Sequence, residues 1–367
     1  MNPRILPAAL AACVLATGVA ACGSDDDTST ASGGSADAKA TVSATLNGAG
    51  STFAAPIYQQ VGSDLKDQGL TINYQGVGSG AGVSQFAAGT VDFAGSDPAL
   101  TDEDRAAIKK GDAIQIPFAL GAITASYKIE GVDSGLKLDG ATLAKIYLGK
   151  ITSWDDAAIK SQNPDATLPS TKITVVHRSD SSGTTKGFTQ FLANYSPEWK
   201  DGPGVDKDIK WPTGTGAKGN DGVAAAVKQT DGAIGYVEQA YALQNGFTFA
   251  DVKNKSGQYV APTLESTSAA AEGIEIPADL GISTIDAPGE SAYPIVSQTF
   301  AIGYADACKA GLDKNQATGL KTFFDYLLNA GQDTIKKLSY APIPDTLKTK
   351  DQAAVDAMQC DGAAITG

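Results

Sequence analysis

The stretch that decides the fold reads His177-Arg-Ser-Asp-Ser-Ser-Gly-Thr-Thr-Lys-Gly-Phe-Thr-Gln-Phe-Leu192. The run of β-branched residues at 173–176 predicts a buried strand before it, and Phe188, Phe191 and Leu192 follow a helical spacing. Serine and glycine at such a junction are typical of a helix N-terminus, whose first backbone N–H groups have no partner within the helix. A strand, a hydroxyl-rich turn and a helix N-terminus in this order predict a site for a small oxyanion.

The polar groups of this stretch have complementary roles in such a site. Arg178 supplies a forked positive charge. Hydroxyl and backbone N–H donors come from Ser182, Gly183 and Thr184. Asp180 would repel an anion unless it were protonated, so we expect it to hold the guanidinium from behind. Taken alone, the stretch fits equally well an ordinary capped helix beside a surface arginine.

Two earlier loops have the same chemistry. Residues 46–58 contain a strand end, a glycine turn and then Thr52 where a helix would begin. Residues 74–86 repeat this order with Ser79 at the turn. Glycine lets backbone N–H groups approach an anion closely, because no Cβ intervenes. The glycine spacing of a dinucleotide-binding motif is absent from these loops, and no Walker sequence surrounds Gly183, so the chain offers anion sites without nucleotide-binding motifs.

A carboxylate ends the fourth segment, Val91-Asp-Phe-Ala-Gly-Ser-Asp97, and is followed by Pro98. The commonest role of an aspartate before proline is to cap a helix. Its alternative role is to accept a proton carried by the ligand. Hydrogen phosphate carries such a proton at neutral pH and sulfate does not, so Asp97 would select phosphate over sulfate by rejecting the wrong ligand.

These four segments, in this order, resemble the phosphate-binding receptors of the phosphate-specific ABC transporter, which have the type II periplasmic-binding-protein fold. The resemblance runs from about Leu46 through most of the chain and also includes residues 146–156, 219–224 and 232–238. It implies an α/β fold of two lobes, with a ligand cleft between the lobes and two crossover strands joining them.

The resemblance also implies which residues bind phosphate, and these come from all four segments: Thr52, Phe53 through its backbone N–H, Ser79, Asp97, Arg178, Ser182, Gly183 and Thr184. Asp180 corresponds to the partner of the arginine. The implied function is high-affinity capture of inorganic phosphate outside the cytoplasm by a monomer. The captured phosphate would be delivered to the transmembrane permease subunits of an ABC transporter.

Strand-like and helical runs alternate along the chain, which favours an α/β sheet. Residues 114–127 form a long extended run interrupted by a glycine, and we interpret this run and residues 293–304 as the two crossings between lobes. The expected lobes are 42–119 with 297–367, and 120–296. Within the second lobe, a helix is expected to end at a glycine stop, Gly149, and the next helix to be capped by Ser153.

The N-terminus predicts export. Residues 1–21 read as a signal peptide, and Val19-Ala-Ala-Cys22 resembles a bacterial lipobox, which would make Cys22 a lipidated, palmitate-bearing residue. Residues 22–41 are polar and small and predict a flexible tether. The chain is therefore expected at the outer face of the cell membrane, anchored by lipid. An ordinary signal peptide with an incidental cysteine is the alternative.

The remaining cysteines predict a disulfide. Cys13 is lost with the leader and Cys22 is modified, which leaves Cys308 and Cys360 in an oxidising compartment. Two free buried cysteines are the alternative.

Composition and motifs exclude several classes of protein. The net charge of −13, with no cluster of basic and aromatic residues, argues against nucleic acid as a partner. A phosphomonoester hydrolase would need a nucleophile with a base or a metal cluster, but His177 is the single histidine. We therefore expect no enzyme activity, no metal and no cofactor. A receptor for sulfate, molybdate or tungstate, or a sensor or adhesin with a vestigial site, remains as an alternative.

Overall fold

Strands and helices alternate in the computed structural model, which describes residues 42–366. The strands are β1 Ala44–Gly50, β2 Leu70–Gly76, β3 Phe93–Ser96, β4 Ala113–Lys128, β5 Lys137–Leu138, β6 Thr174–Arg178, β7 Thr215–Ala217, β8 Ala233–Glu238, β9 Thr248–Phe249, β10 Asp251–Lys253, β11 Tyr259–Val260, β12 Val296–Tyr304, β13 Ala341–Pro342, β14 Gln359–Cys360 and β15 Ala363–Ala364. The helices are α1 Ala55–Lys66, α2 Ser79–Ala87, α3 Asp102–Ala107, α4 Gly140–Tyr147, α5 Ala157–Gln162, α6 Gly183–Tyr195, α7 Pro197–Asp201, α8 Gly219–Gln229, α9 Gln239–Asn245, α10 Leu264–Ala269, α11 Lys314–Leu328, α12 Gly331–Lys337 and α13 Asp345–Asp356.

A ten-stranded sheet organises this part of the chain. Its strand order is β2-β1-β3-β12-β4-β8-β6-β7, and the short strands β9 and β13 also pair with β4. β1 runs parallel to β2 and β3, and β6 runs parallel to β7 and β8. β12 and β4 run antiparallel to their neighbours in the middle of the sheet. The loops singled out in the sequence follow the carboxyl ends of β1, β2, β3 and β6, where ligands bind in open α/β sheets.

Strand β4 is shared by the two halves of the sheet. Its residues 113–122 pair with β12, and its residues 123–128 pair with β8. Gly121 does not interrupt it, so the predicted crossing is one continuous strand of 16 residues. A Cβ on Gly121 would lie 2.5 Å from the ring of Phe53, so a glycine is needed here for that ring to pack against the backbone of β4. The exact residues that divide the two lobes stay a proposal.

Each half of the sheet packs against an aromatic cluster. In the first half, the ring centroids of Tyr58 and Tyr74 lie 4.1 Å apart, and Phe93 lies 5.7 Å from Tyr58. In the second half, Phe188 of α6 stacks on Tyr236 of β8 at 4.5 Å. Complete burial of one such side chain stabilises the fold by about 1.5–3 kcal/mol. These clusters hold the strand ends and helix starts that carry the polar loops.

The helix after α4 begins later than predicted. α4 ends before Gly149, whose φ of +72° makes it the predicted stop. The prediction that Ser153 caps the next helix is wrong, because Asp156 caps α5. Ser153 instead forms a β-bridge with Lys172, which keeps its backbone extended.

Cys308 and Cys360 form the predicted disulfide, with Cα atoms 4.6 Å apart. The bond joins the segment after β12 to β14 across 52 positions of sequence. Closing a loop of that length stabilises a fold by about 4 kcal/mol in the chain-entropy description.

The predicted signal peptide (1–21), the lipidated Cys22 and the tether (22–41) lie outside the described residues. Within residues 42–366, no helix has both the length and the apolar character needed to cross a bilayer.

Candidate functional site

The four predicted loops meet between the two halves of the sheet. A Cβ added to Gly183 would lie 2.5 Å from Asp97 Oδ2 and 2.6 Å from Ser79 Oγ, so the start of α6 is pressed against the first half. The Gly80 N–H donates to the Ser181 carbonyl oxygen at 3.1 Å across the same gap. We call the residues that meet here the cradle, and all of them are buried: Ser51, Thr52, Phe53, Ser79, Asp97, Arg178, Ser182, Gly183 and Thr184.

Arg178 is the buried cation of the cradle. Asp180 accepts a hydrogen bond from Arg178 Nε at 2.7 Å and a second from Nη2, and it also accepts from the Gly219 N–H at 3.0 Å. Burial opposes the ionisation of Asp180, but the bonds and charge of Arg178 and the bond from Gly219 lower the pKa of this carboxyl below its ordinary value. Nη1 donates to Thr184 Oγ1 at 3.3 Å. The two-point pairing fixes the guanidinium plane and aims its free edge into the cradle.

Asp97 brings a carboxylate into the same cradle. Its Oδ1 accepts from Ser51 Oγ at 2.6 Å and from Thr299 Oγ1 at 3.0 Å, whereas its Oδ2 accepts a longer bond of 3.3 Å from Ser79 Oγ. Burial raises the pKa of Asp97 to about 6, although those three hydroxyls and the charge of Arg178 lower it. Oδ2 is therefore the less saturated acceptor, and it faces Gly183. Asp97 Oδ2 can therefore accept a hydrogen bond from a hydroxyl of a bound anion.

Two threonine hydroxyls are oriented as donors. Thr52 Oγ1 accepts from the backbone N–H of Asn220 at 3.2 Å and from its Nδ2 at 3.0 Å. Thr184 Oγ1 accepts from Arg178 Nη1 and from Asn220 Nδ2, both at 3.3 Å. A hydroxyl oxygen has two lone pairs, so in both threonines the accepting capacity is filled and the hydroxyl hydrogen remains to donate. This arrangement suits a ligand that only accepts, such as an oxyanion.

Backbone N–H groups supply further donors. Ser182 caps α6, its Oγ accepting from the Thr185 N–H at 3.1 Å. Among the described residues, the N–H groups of Phe53, Gly183 and Thr184 find no acceptor. The partial positive charge of the α6 N-terminus adds to the field of these groups.

Some residues around the cradle were not predicted. Thr299 on β12 contacts Asp97, Asn220 is the second residue of α8, and the Tyr236 hydroxyl on β8 accepts from the Arg178 N–H at 3.0 Å. Asn220 alone carried a local signal, because it lies in the first turn of a helix that begins at a glycine shortly after a short strand. The helix-cap role considered for Asp97 is wrong, since Thr101 caps α3.

His177 lies outside the cradle. Its ring stacks on Trp211 with centroids 4.6 Å apart, and burial lowers the pKa of its imidazole. Neighbouring residues of a strand point to opposite faces, so Arg178 faces the cradle while His177 faces away. Within residues 42–366, the group with metal-ligand geometry is Cys308, Cys360 and Asp361, and its two cysteines are joined to each other.

Known proteins resemble this chain over most of its length. Residues 35–330 match the family described as the PBP superfamily domain. Over 320 residues the chain is 40% identical to a "Phosphate-binding protein PstS" of Xylella fastidiosa, with 86% of each chain covered. Over 367 residues it is 37% identical to a "Phosphate-binding protein PstS 3" of Mycobacterium tuberculosis, covering 94% of this chain and 97% of that one.

A solved structure has the same fold. It is that of a high affinity periplasmic phosphate-binding protein bound with phosphate, with a TM-score of 0.69 and 25% sequence identity. The likeness covers 84% of this chain and 93% of that one. The two-lobed α/β fold predicted from the sequence is thereby confirmed.

Proposed function

The chain belongs to the PBP superfamily and, within it, to the family of the phosphate-binding proteins, and from this premise we propose that it captures inorganic phosphate outside the cytoplasm and delivers it to the permease of an ABC transporter. The phosphate-binding proteins among its relatives, and a structural neighbour bound with phosphate, support this ligand. Capture is stoichiometric and involves no chemistry on the ligand.

One observation carries the proposal, namely the opposite character of two buried groups in the cradle. Arg178 and the surrounding N–H and O–H groups need an acceptor, whereas Asp97 needs a donor. A fully ionised dianion such as sulfate accepts hydrogen bonds from Arg178 and the surrounding donors, but Asp97 repels it. Hydrogen phosphate satisfies both, because it has acceptor oxygens and one hydroxyl.

We assign roles to the cradle residues on this basis. Arg178, held by Asp180, makes charge-assisted hydrogen bonds to phosphate oxygens. The hydroxyl of hydrogen phosphate donates a hydrogen bond to Asp97. The remaining acceptor sites of phosphate receive hydroxyl hydrogens and backbone N–H groups, which we attribute to Thr52, Phe53, Ser79, Ser182, Gly183 and Thr184. Ser79 would turn its single hydroxyl hydrogen from Asp97 Oδ2 to the ligand when phosphate binds.

Release and delivery need the cradle to open. We propose that the lobes, 42–119 with 297–367 and 120–296, close on phosphate by bending about β4 and β12, and that the closed monomer docks on the permease subunits.

The N-terminal segment would keep the receptor near that permease. In this proposal residues 1–21 direct export, Cys22 carries the lipid anchor, and residues 22–41 form the tether. A flexible chain of that length spans roughly 20–25 Å root-mean-square.

Titration calorimetry on the full-length chain, first stripped of bound phosphate, tests the function. Phosphate, sulfate, molybdate and arsenate are titrated in parallel. We expect tight one-to-one binding of phosphate, weaker binding of arsenate and no heat with sulfate. Tight binding of sulfate or molybdate would keep the fold and overturn the ligand, and an absence of heat with every anion would overturn capture itself.

A further inference from the structure

An ion pair joins the two halves of the molecule beside the cradle. Lys207 Nζ lies 3.7 Å from Asp104 Oδ1, and the two side chains are 20% and 19% exposed. Asp104 lies in α3, which follows β3 of the first half, whereas Lys207 lies between α7 and β7 of the second half. Among the ion pairs of residues 42–366, only Arg178–Asp180 has both side chains more buried.

The backbone of Lys207 is bonded to the cradle itself. Its carbonyl oxygen accepts from the Ser182 N–H at 3.0 Å, and Ser182 caps α6. One position earlier, the Ser181 carbonyl oxygen accepts from the Gly80 N–H of the first half. The segment around Lys207 therefore covers the 181–182 turn from outside, and Asp104 draws that segment toward the first half.

Asp104 is oriented before it pairs. Its Oδ2 accepts from the Thr101 N–H at 3.0 Å and from the Thr101 hydroxyl at 2.9 Å, which completes the capping box of α3. This leaves Oδ1 directed at Lys207. A carboxylate already fixed by other bonds loses less side-chain entropy when it pairs, so more of the attraction is retained than in a mobile surface pair.

From this geometry we propose that Asp104 and Lys207 form a latch, a pair of positioning residues that joins when the halves close over phosphate and slows its release. The latch rests on the proposed function. Neither side chain is in the cradle, and the latch acts through the bond between Lys207 and Ser182. An ion pair made only after the ligand has entered changes the dissociation rate constant and leaves the association rate constant unaltered.

Release of radiolabelled phosphate from the full-length chain, chased with unlabelled phosphate, tests the latch. We expect Asp104→Asn and Lys207→Gln each to raise the dissociation rate constant about two- to fivefold, the range for partly exposed ion pairs. Asparagine keeps an acceptor for the Thr101 bonds, so the α3 cap survives. The double variant should release phosphate no faster than either single variant. Lys207→Arg keeps the positive charge and should release phosphate as slowly as the wild type. Added salt should speed release from the wild type but not from the variants that lack the ion pair.

Lys210→Gln is the matched control, because Lys210 lies in the same segment, is exposed and has no carboxylate partner among the described residues. It should leave release unchanged. Dissociation rates equal to wild type in both single variants, or additive effects in the double variant, would overturn the latch while leaving phosphate capture intact. A wild-type chain that binds no phosphate would instead overturn both the proposed function and the latch.

Discussion

In the proposed function, Arg178 attracts phosphate and Asp97 selects it by short-range forces, against the charge of the whole chain. The net charge is −13, so the long-range field opposes an approaching anion and is screened by salt. Both side chains are at most 3% exposed, and at that burial the interaction of each with a ligand is weakened little by solvent. Affinity and selectivity should therefore respond strongly to single substitutions at these two positions.

Replacing Arg178 with alanine should weaken phosphate binding by about 2–5 kcal/mol, because the ligand and Asp180 both lose a buried ionic partner. Calorimetry against phosphate measures this change. Arg105→Ala is the control, since Arg105 pairs with Asp279 at the surface, 3.2 Å away. Equal affinity in the two variants would contradict the role assigned to Arg178.

Replacing Asp97 with asparagine should narrow the preference for phosphate over sulfate about ten- to a hundredfold, the worth of one hydrogen bond to a charged group. The neutral amide no longer repels a dianion, and its NH2 can donate to a sulfate oxygen. Competition between the two anions for the same protein measures the ratio. A ratio that does not move would show that selectivity arises elsewhere in the cradle.

Asp97 should also make the stability of the ligand-free protein depend on pH. Its pKa is raised from 3.8 to about 6, so the native state retains a proton that the unfolded state has lost between these values. The contribution of Asp97 to the free energy of unfolding is fully present below about pH 4. It is lost as the pH rises through 6, and the total loss is roughly 3 kcal/mol. Urea unfolding of wild type and Asp97→Asn from pH 4 to 8 should show the variant gaining relative stability as the pH rises.

At the scale of elements, the site is made of strand ends and helix starts. β1, β2, β3 and β6 each end at a polar loop, and α2 and α6 begin with Ser79 and Gly183. Hydrophobic period and turn residues predict such junctions, because both are local properties of the chain. Packing between the halves is not local, and it decides how closely α6 approaches the first half.

Gly183→Ala should lower phosphate affinity by about 1–3 kcal/mol, the usual cost of overpacking. The new methyl group would lie 2.5 Å from Asp97 Oδ2 and 2.6 Å from Ser79 Oγ, so the cradle must widen. Gly222→Ala on α8 is the control, since its nearest neighbour would lie 3.6 Å away. Calorimetry compares the two variants, and wild-type affinity in Gly183→Ala would mean that the closed cradle is looser than the structure has it.

At the scale of the whole molecule, the disulfide should affect stability and leave binding unchanged. Removing it in Cys308→Ala/Cys360→Ala should lower the free energy of unfolding by about 4 kcal/mol, because the unfolded chain regains the freedom of the closed loop. Urea unfolding measures this loss. Phosphate affinity should stay at the wild-type value, since neither cysteine belongs to the cradle.

Contacts between distant parts of the chain complete the site. Thr299 donates to Asp97 across 202 positions, and Asn220 donates to Thr52 across 168. The Tyr241 hydroxyl donates to the Thr52 carbonyl oxygen across 189 positions. Sheet order brings these residues together, because β12 lies between β3 and β4 and the second half folds back on the first.

The resemblance to phosphate-binding receptors implied that Asp97 lies among donors. Local patterns of the sequence predicted the strand–turn–helix segments, the pairing of Arg178 with Asp180 and the disulfide between Cys308 and Cys360. Period, turn chemistry and the count of cysteines carry that information, since each depends on neighbours in the chain or on composition.

The tertiary structure was needed to show that Thr299 donates to Asp97 Oδ1, that Asn220 donates to the hydroxyls of Thr52 and Thr184, and that Lys207 meets Asp104 beside the cradle. No local pattern encodes such contacts. They exist because one continuous strand, β4, pairs with β12 in the first half of the sheet and with β8 in the second, and so joins the two halves.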